Sequence, residues 1–513
     1  MSDVIVEKNI RFSESSIWRS QKKYYNAKGI SAWDEDVPFY ITSNPFIANQ
    51  YALVLIRFMQ DWIRKNPGSE AHPFYILELG AGTGQFGFYV LKALSTLRKK
   101  LSLASIRFQY IMSDMSNHAF DFWKNHNALR PFLDDGILDF AVYDLYHSES
   151  LELHCAQQKI TIQNPLLVIA NYLFDSIATD VFSVKDGKLF ESRVTVKTPK
   201  SNIKENSILN WEKTTITYDE HPIQKPYYHD DCDDTLFQYA DTLVDTHFQF
   251  PIGSLRALKT LQTLSNNHFL LLTSDKAYGA LEELDYCEHP ELDFHGSFSV
   301  MVNYHAIGEH LKLCHGQYWL QSFRENIITG IFSCGFVFQS MPEFQWASEQ
   351  MINALSPTDY FLLYENVMKN YKKATLAELA AFMSLSDWDP GLFDTLCEHI
   401  FTLTDKADPD VITQLSQDMP KIAERFYYLP SASDTLFNIG VFFQNILKFE
   451  TALRYYEQSL HYFGDSDITY FNMAMCYESV DQPQSALSCL EKALQFNPKA
   501  SDVKQWIKKL KKV

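Results

Sequence analysis

The chain predicts an α/β protein built on a doubly wound parallel sheet, followed by an all-helical C-terminal region. Three observations carry this. An apolar run ends in a glycine-rich turn at residues 73–87. Apolar strand-like runs alternate with helical stretches as far as about residue 275. From about residue 433 the sequence repeats with a spacing of 34. Strands that alternate with helices are covered on both faces, so they read as continuous apolar runs rather than alternating ones. At 513 residues the chain exceeds what a single core holds. The expected division is a sheet domain over 1–345 with an insertion at about 181–265, a helical connector over 346–432 and helical repeats over 433–513.

The first strand, 73–79, runs into Gly80, Gly82 and Gly84, with Glu78 two positions before the first glycine. Glycine tolerates positive φ and has no Cβ, so backbone here can approach a ligand closely. The helix predicted over 86–97 aims its free N–H groups at the same place. A second strand spans 106–112 and ends at Ser113 and Asp114. A helix is expected over 116–126, with Ser116 as its N-cap. The third strand, 138–143, ends at Asp144. After the Asn164-Pro165 break, 166–170 is a short, wholly apolar fourth strand. The fifth, 268–273, ends at Ser274 and Asp275. Ligands of such sheets sit at the carboxyl ends of the strands.

Between the fourth and fifth strands, residues 181–190 read as a hairpin around Asp186-Gly187. The insertion is placed to cover a pocket and select substrate. His229-Asp230-Asp231-Cys232-Asp233-Asp234 is read as a solvated acidic loop or helix start, because its ligand types are not spaced for one coordination geometry; no metal is expected.

A net charge of −18 argues against a general nucleic-acid surface. The basic cluster Lys504, Lys508, Lys509, Lys511 and Lys512 reads as a helix end favoured by the macrodipole. Eight scattered cysteines without a C-x-x-C pair point to a reducing compartment. Residues 1–7 show no signal or presequence pattern, and no apolar run approaches the length of a membrane span. A cytoplasmic protein without membrane contact is expected; export without a signal stays open.

Near the C-terminus, Phe437/Phe471, Asn438/Asn472, Gly440/Ala474, Ala452/Ala486, Leu453/Leu487 and Leu460/Leu494 are each 34 apart. The period, the small residues where helices cross and the closing Asn497-Pro498 resemble tetratricopeptide (TPR) repeats. The resemblance implies a concave surface that recruits a protein substrate or partner, with 500–512 as a capping helix or degenerate helices upstream as a third unit.

The acid-x-Gly-x-Gly-x-Gly form at 78–84 resembles motif I of class I S-adenosylmethionine (AdoMet) methyltransferases, which have a Rossmann-like sheet. Gly82-Thr83-Gly84-Gln85-Phe86-Gly87 also satisfies G-x-G-x-x-G. A dinucleotide fold, however, wants an acid about 20 residues further on, near Arg107 here, although Asp114 does end that strand. For AdoMet, Asp114 could accept both ribose hydroxyls. Asp144 could accept the adenine amino group, with Asp139 close by. Glu78 could orient the loop and help hold the cationic methionine end, while Gly80, Gly82 and Gly84 give backbone approach. Methyl transfer needs an aligned nucleophile and removal of its proton. Asn171 and Asp175, after the fourth strand, are the candidate catalytic residues on the substrate side; a helix N-cap role is an equal reading of Asn171.

Residues 170–178 resemble the Ala-Asn-Glu-x-x-Asp-Ala-Leu-Pro motif of the MidA-like family, which includes mitochondrial complex I assembly methyltransferases. Residues 37–45, 274–279 and 295–304 resemble further segments of it, so the likeness spans about 35–335. It implies protein arginine methylation. Tyr172 stands where the family has glutamate, Asn44 where it has proline and Ser297 where it has aspartate. A tyrosine cannot grip a guanidinium through paired charge-assisted bonds. The leading expectation is an AdoMet-dependent methyltransferase acting on a protein; the alternative is a catalytically inactive AdoMet-fold protein that serves as a partner-binding or assembly module.

Overall fold

The computed structural model describes residues 3–29, 43–148, 150–200, 213–295, 297–322 and 327–511. The chain divides into two compact units: one of residues 1–43 and 47–362, the other of residues 44–46 and 363–513.

The first unit is a mixed α/β structure around an eight-stranded sheet. Its strands are β1 (Phe74–Leu79), β2 (Phe108–Asp114), β3 (Leu138–Val142), β4 (Leu166–Ile169), β5 (Phe269–Tyr278), β6 (Val302–Asn303), β7 (Gln317–Leu320) and β8 (Ile327–Cys334). The order is β7-β8-β5-β4-β1-β2-β3, with β6 beside the end of β5. The five strands from β5 to β3 are parallel, whereas β8 is antiparallel to both β5 and β7. All four residues of β4 are buried, as a strand covered on both faces requires. In register, Leu77 of β1 lies between Ile111 and Val168. Chain order reverses between β1 and β4, and that switch point opens a crevice at the carboxyl ends.

Several expectations need correction. The strand expected over 268–273 continues to Tyr278, so Ser274 and Asp275 lie inside it rather than at its end. β7 and β8 were not foreseen; the glycine at 330 and the polar residues of β7 weaken their apolar pattern. The helix expected over 116–126 is reduced to Phe120–Asn125, with no side-chain cap. Residues 115–119 form a turn instead, and Ser116 and His118 of that turn face a cavity.

A second sheet contains Asp180–Lys185, Lys188–Pro199, Thr215–Pro222 and Thr246–Phe250. The 185/188 hairpin closes through Asp186 and Gly187, both at positive φ (50° and 70°), as the tight turn demands. This sheet is not confined to the insertion: Asp3–Ile10 joins it along Lys188–Pro199. Asp233 of the acidic segment accepts the backbone N–H groups of Tyr227, Tyr228 and His229, so it caps a turn just before the helix Cys232–Thr242. Most of 37–45, part of the family-like entry segment, lies outside the described residues, as do Gly296 and Lys512.

The second unit is helical. Thr435–Asn445 packs on Phe449–Phe463, and Asp467–Ser479 on Pro483–Phe496, with Ser501–Leu510 after them. Asp434 and Ser466 cap the first helix of each pair. A Cβ on Gly440 would lie 2.5 Å from the ring of Tyr456, so this crossing admits no side chain. Ala474, Ala452 and Ala486, one or the other member of the 34-residue pairs, are fully buried.

Candidate functional site

The glycine turn is built from the backbone outward. Gly80, Gly82 and Gly84 all have positive φ, at 67°, 54° and 78°. Ala81 N–H donates to the Ser113 carbonyl, and Trp123 Nε1 to the Gly82 carbonyl, which ties the turn to β2 and the helix after it. Gly84 caps the helix Gln85–Lys100. A Cβ there would strike Met112 at 2.3 Å, so Gly84 serves packing, and it is Gly80 and Gly82 that line the cavity. Gly87, the last glycine of the G-x-G-x-x-G pattern, packs on Glu78: a Cβ would lie 2.6 Å from Glu78 Oε2.

A cavity of about 320 Å³ opens at the switch point, within the size range of small-molecule sites. Its wall includes Gly80, Gly82, Asp114, Asp144, Asn171 and Tyr172. Burial raises the pKa of the Asp114 carboxyl, opposed by the Met115 N–H it accepts and by His118. Asp144 accepts the Tyr146 N–H at 2.9 Å. Its rival Asp139 spends its oxygens on the N–H groups of Phe140, Cys155 and Ala156 and is not on the wall. Glu78 lines a smaller adjoining pocket with Gly80, Gly82, Asn171 and Tyr172. Its Oε2 is buried without a well-formed hydrogen bond among the described residues, and burial pushes its carboxyl up to about 8, opposed by the Tyr110 hydroxyl.

Asn171 caps no helix. Its Oδ1 accepts the Tyr51 hydroxyl at 2.8 Å and the Ser274 N–H at 3.0 Å, which locks the turn after β4 to β5. Tyr172 follows at φ 47°, a conformation costly for a side chain of its size, and its hydroxyl is buried with no hydrogen-bond partner among the described residues. Asp175 is not on the cavity wall. It is 3% exposed, accepts the Ser176 hydroxyl at 2.9 Å and lies beside Asp275. Asp275 Oδ2 accepts the N–H groups of Phe174 and Asp175. Burial of the pair raises both carboxyls, Asp175 to about 6. Asp175, expected on the substrate side, is thus buried off the cavity lining and next to it through the 171–176 turn.

The helix Ser16–Lys28 supplies a whole wall that sequence reasoning missed: Trp18, Gln21, Lys22 and Tyr25. Their spacing of three, four and seven was the available signal, masked by a mixed polar and aromatic composition.

Residues 53–286 match the model of a family described as "Putative S-adenosyl-L-methionine-dependent methyltransferase". No curated protein matches the chain. A Burkholderia thailandensis protein described as a "likely methyl transferase" bound to S-adenosyl-homocysteine aligns at 11% identity and TM-score 0.37, covering 62% of this chain and 94% of the other. The plantazolicin methyltransferase BpumL, in complex with SAH, aligns at 10% identity and TM-score 0.28, over 63% of this chain and 100% of the other. Likenesses this distant assign no role to any residue here. The matched segment contains the glycine turn, β1 to β5 and the cavity residues from Gly80 to Ala178. The chain is a methyltransferase, and its cofactor is AdoMet. The residues present fit that group: two positive-φ glycines and two strand-end carboxylates on one wall, with the orphaned Glu78 oxygen beside them.

Proposed function

We propose that the enzyme methylates a protein side chain and that the C-terminal helices, as TPR-type repeats of a Rossmann-like methyltransferase, recruit the substrate or partner. The observation that carries this is the 34-residue period: it coincides with two helix pairs whose crossings are filled by Gly440, Ala452, Ala474 and Ala486. AdoMet, when bound, supplies an electrophilic methyl group on a sulfonium. Asp114 would hold the ribose, Asp144 the adenine amino group, and Gly80, Gly82 and Glu78 the methionine end. Beside them Asn171, locked by Tyr51 and Ser274, fixes the 171–176 turn, and Tyr172 of that turn would face the acceptor from the cavity lining. A tyrosine at 172 favours an acceptor other than a guanidinium, which a carboxylate would have gripped. Eight free cysteines suit work in a reducing cytoplasm.

Labelled AdoMet and a source lysate, offered to the full-length protein and to Ala486→Arg, test this reading. The charge enters a fully buried helix crossing and should unfold that pair at a cost of several kcal/mol. AdoMet affinity should persist while labelling of protein falls. Undiminished labelling of protein by an Ala486→Arg variant with disrupted helices removes the recruitment role; label found only in small molecules removes the protein acceptor.

A further inference from the structure

A second cluster of functional side chains lies in the inserted sheet. Glu220 sits on the strand Thr215–Pro222, His247 on Thr246–Phe250 and His289 in the segment after Leu281–Leu284. One ligand atom from each lies within 4.8 Å of the other two. We propose that these three residues bind a divalent first-row transition metal, zinc by its donor set, as a clasp holding residues 285–292 to the inserted sheet.

His247 Nδ1 faces the Cys287 carbonyl at 3.2 Å, so that nitrogen carries the proton and donates. Its Nε2 then presents a lone pair, 3.0 Å from Glu220 Oε1, which has only lone pairs to offer. Something positive belongs between them. A proton would serve that pair alone. It would leave out His289, whose ring centroid lies 3.8 Å from that of His247 and whose Nε2 is buried without a hydrogen-bond partner. A metal ion takes all three atoms at once. Two imidazoles and one carboxylate, with water in the fourth position, are a recognised zinc donor set.

The surrounding groups orient the ligands as outer-shell partners do. The Cys287 carbonyl fixes the His247 tautomer. Ser183 donates to Glu220 Oε1 and Lys185 to Oε2, which hold the carboxylate in place. Tyr218 stacks on the His289 ring at 4.5 Å and donates its hydroxyl to the Pro290 carbonyl, so both the ring and its segment are fixed. The three ligands come from positions 220, 247 and 289, without the close spacing that marks a metal motif in sequence. The other grouping of this kind among the described residues, Asp231, Cys232 and His310, has its His310 Nδ1 on Thr235 and lacks the orphaned nitrogen.

The test is cobalt(II) and zinc(II) binding to full-length protein stripped with EDTA, read by metal content after gel filtration and by the cobalt visible spectrum. Wild type should retain a single equivalent with a cobalt spectrum of nitrogen and oxygen ligation and no thiolate band. His289→Ala should lose affinity by more than about 100-fold, beyond the loss typical of an outer-shell partner. Glu220→Gln, which keeps its shape and its place on the strand, should do the same, so a folding failure in one variant leaves the other to decide. Cys232→Ser should retain the metal. Wild type that holds no metal after filtration overturns the proposal, as does equal retention in wild type, His289→Ala and Glu220→Gln, or loss confined to Cys232→Ser.

Discussion

The two walls of the 320 Å³ cavity are made in different ways. One is the row of strand ends: Gly80 and Gly82 after β1, Asp114 ending β2, Asp144 after β3. Its shape is set by backbone, through positive-φ glycines and short connections, and each part lies next to the strand that positions it. The rest of the lining is assembled at a distance. The helix Ser16–Lys28 meets the 171–178 turn, and that turn is held by Tyr51, Ser274 and Asp275 from other segments. The strand-end part of the lining is local in sequence, whereas the rest depends on long-range contacts between side chains; in the function proposed above the first would hold AdoMet and the second would face the acceptor. Changes on the first wall should move AdoMet affinity; changes on the second should move turnover and leave affinity alone.

The largest expected effect is at Gly82. Its φ of 54° strains a branched side chain, and on the cavity wall such a side chain would take space that a ligand needs. Gly82→Val should abolish AdoMet binding by calorimetry while the helices of 435–510 stay folded by circular dichroism. Unchanged affinity in a folded variant would break the contrast between the walls at its root.

Next comes Glu78, where stability and binding oppose one another. Its carboxyl is raised to about 8 in the folded chain, against 4.5 ordinarily. Below about 4.5 both folded and unfolded chains are protonated and no penalty applies. As pH rises through 8 the folded chain must keep a buried carboxylate, whose charge burial opposes more than the Tyr110 hydroxyl supports it. Stability of the ligand-free protein should therefore fall between those values by a few kcal/mol, because each tenfold difference in proton affinity between the two states is worth about 1.4 kcal/mol. Glu78→Gln should flatten that slope in urea unfolding and weaken AdoMet. A variant with the same pH slope as wild type would show that the slope comes from other groups.

Legibility follows the same division. The strands β1 to β4 were readable because each is a short apolar run closed by a turn signal, and Gly80, Gly82, Asp114 and Asp144 were readable because they follow those runs directly. Asp175 was expected beside a substrate because it follows the fourth strand closely, and a carboxylate in such a turn looks the same in sequence whether it lines a cavity or, as here, is buried beside Asp275. Tyr25 and Trp18 were invisible for a different reason: only tertiary packing brings residues 18–25 to a site built around residues 78–178. The β8 strand follows this rule too, since its pairing with β5 is long-range, and β7 then adds to the sheet edge through β8.

Asp114→Ala is expected to have a middling effect. A carboxylate hydrogen-bonded to ligand contributes roughly 1.5–3 kcal/mol, so AdoMet affinity should fall by about 10- to 150-fold. A loss below about tenfold would make Asp114 a structural acid whose bond to the Met115 N–H is its main role.

The smallest effect on folding and on AdoMet affinity is expected at Tyr172, and it tests the contrast from the other wall. The Tyr172 hydroxyl is buried with no hydrogen-bond partner among the described residues, so its removal breaks no hydrogen bond within them. Burial and the neighbouring Asp275 and Asp175 carboxylates raise its pKa, so it stays a neutral donor across the working range. A donor kept neutral, unsatisfied and at strained backbone beside the cavity is placed to meet a group that arrives with the substrate. Tyr172→Phe should leave thermal stability within about 0.5 kcal/mol of wild type. AdoMet affinity should not change, and kcat on the labelled protein acceptor should fall. Equal turnover in both proteins would confine the hydroxyl to packing, and a loss of AdoMet affinity would move Tyr172 to the cofactor wall.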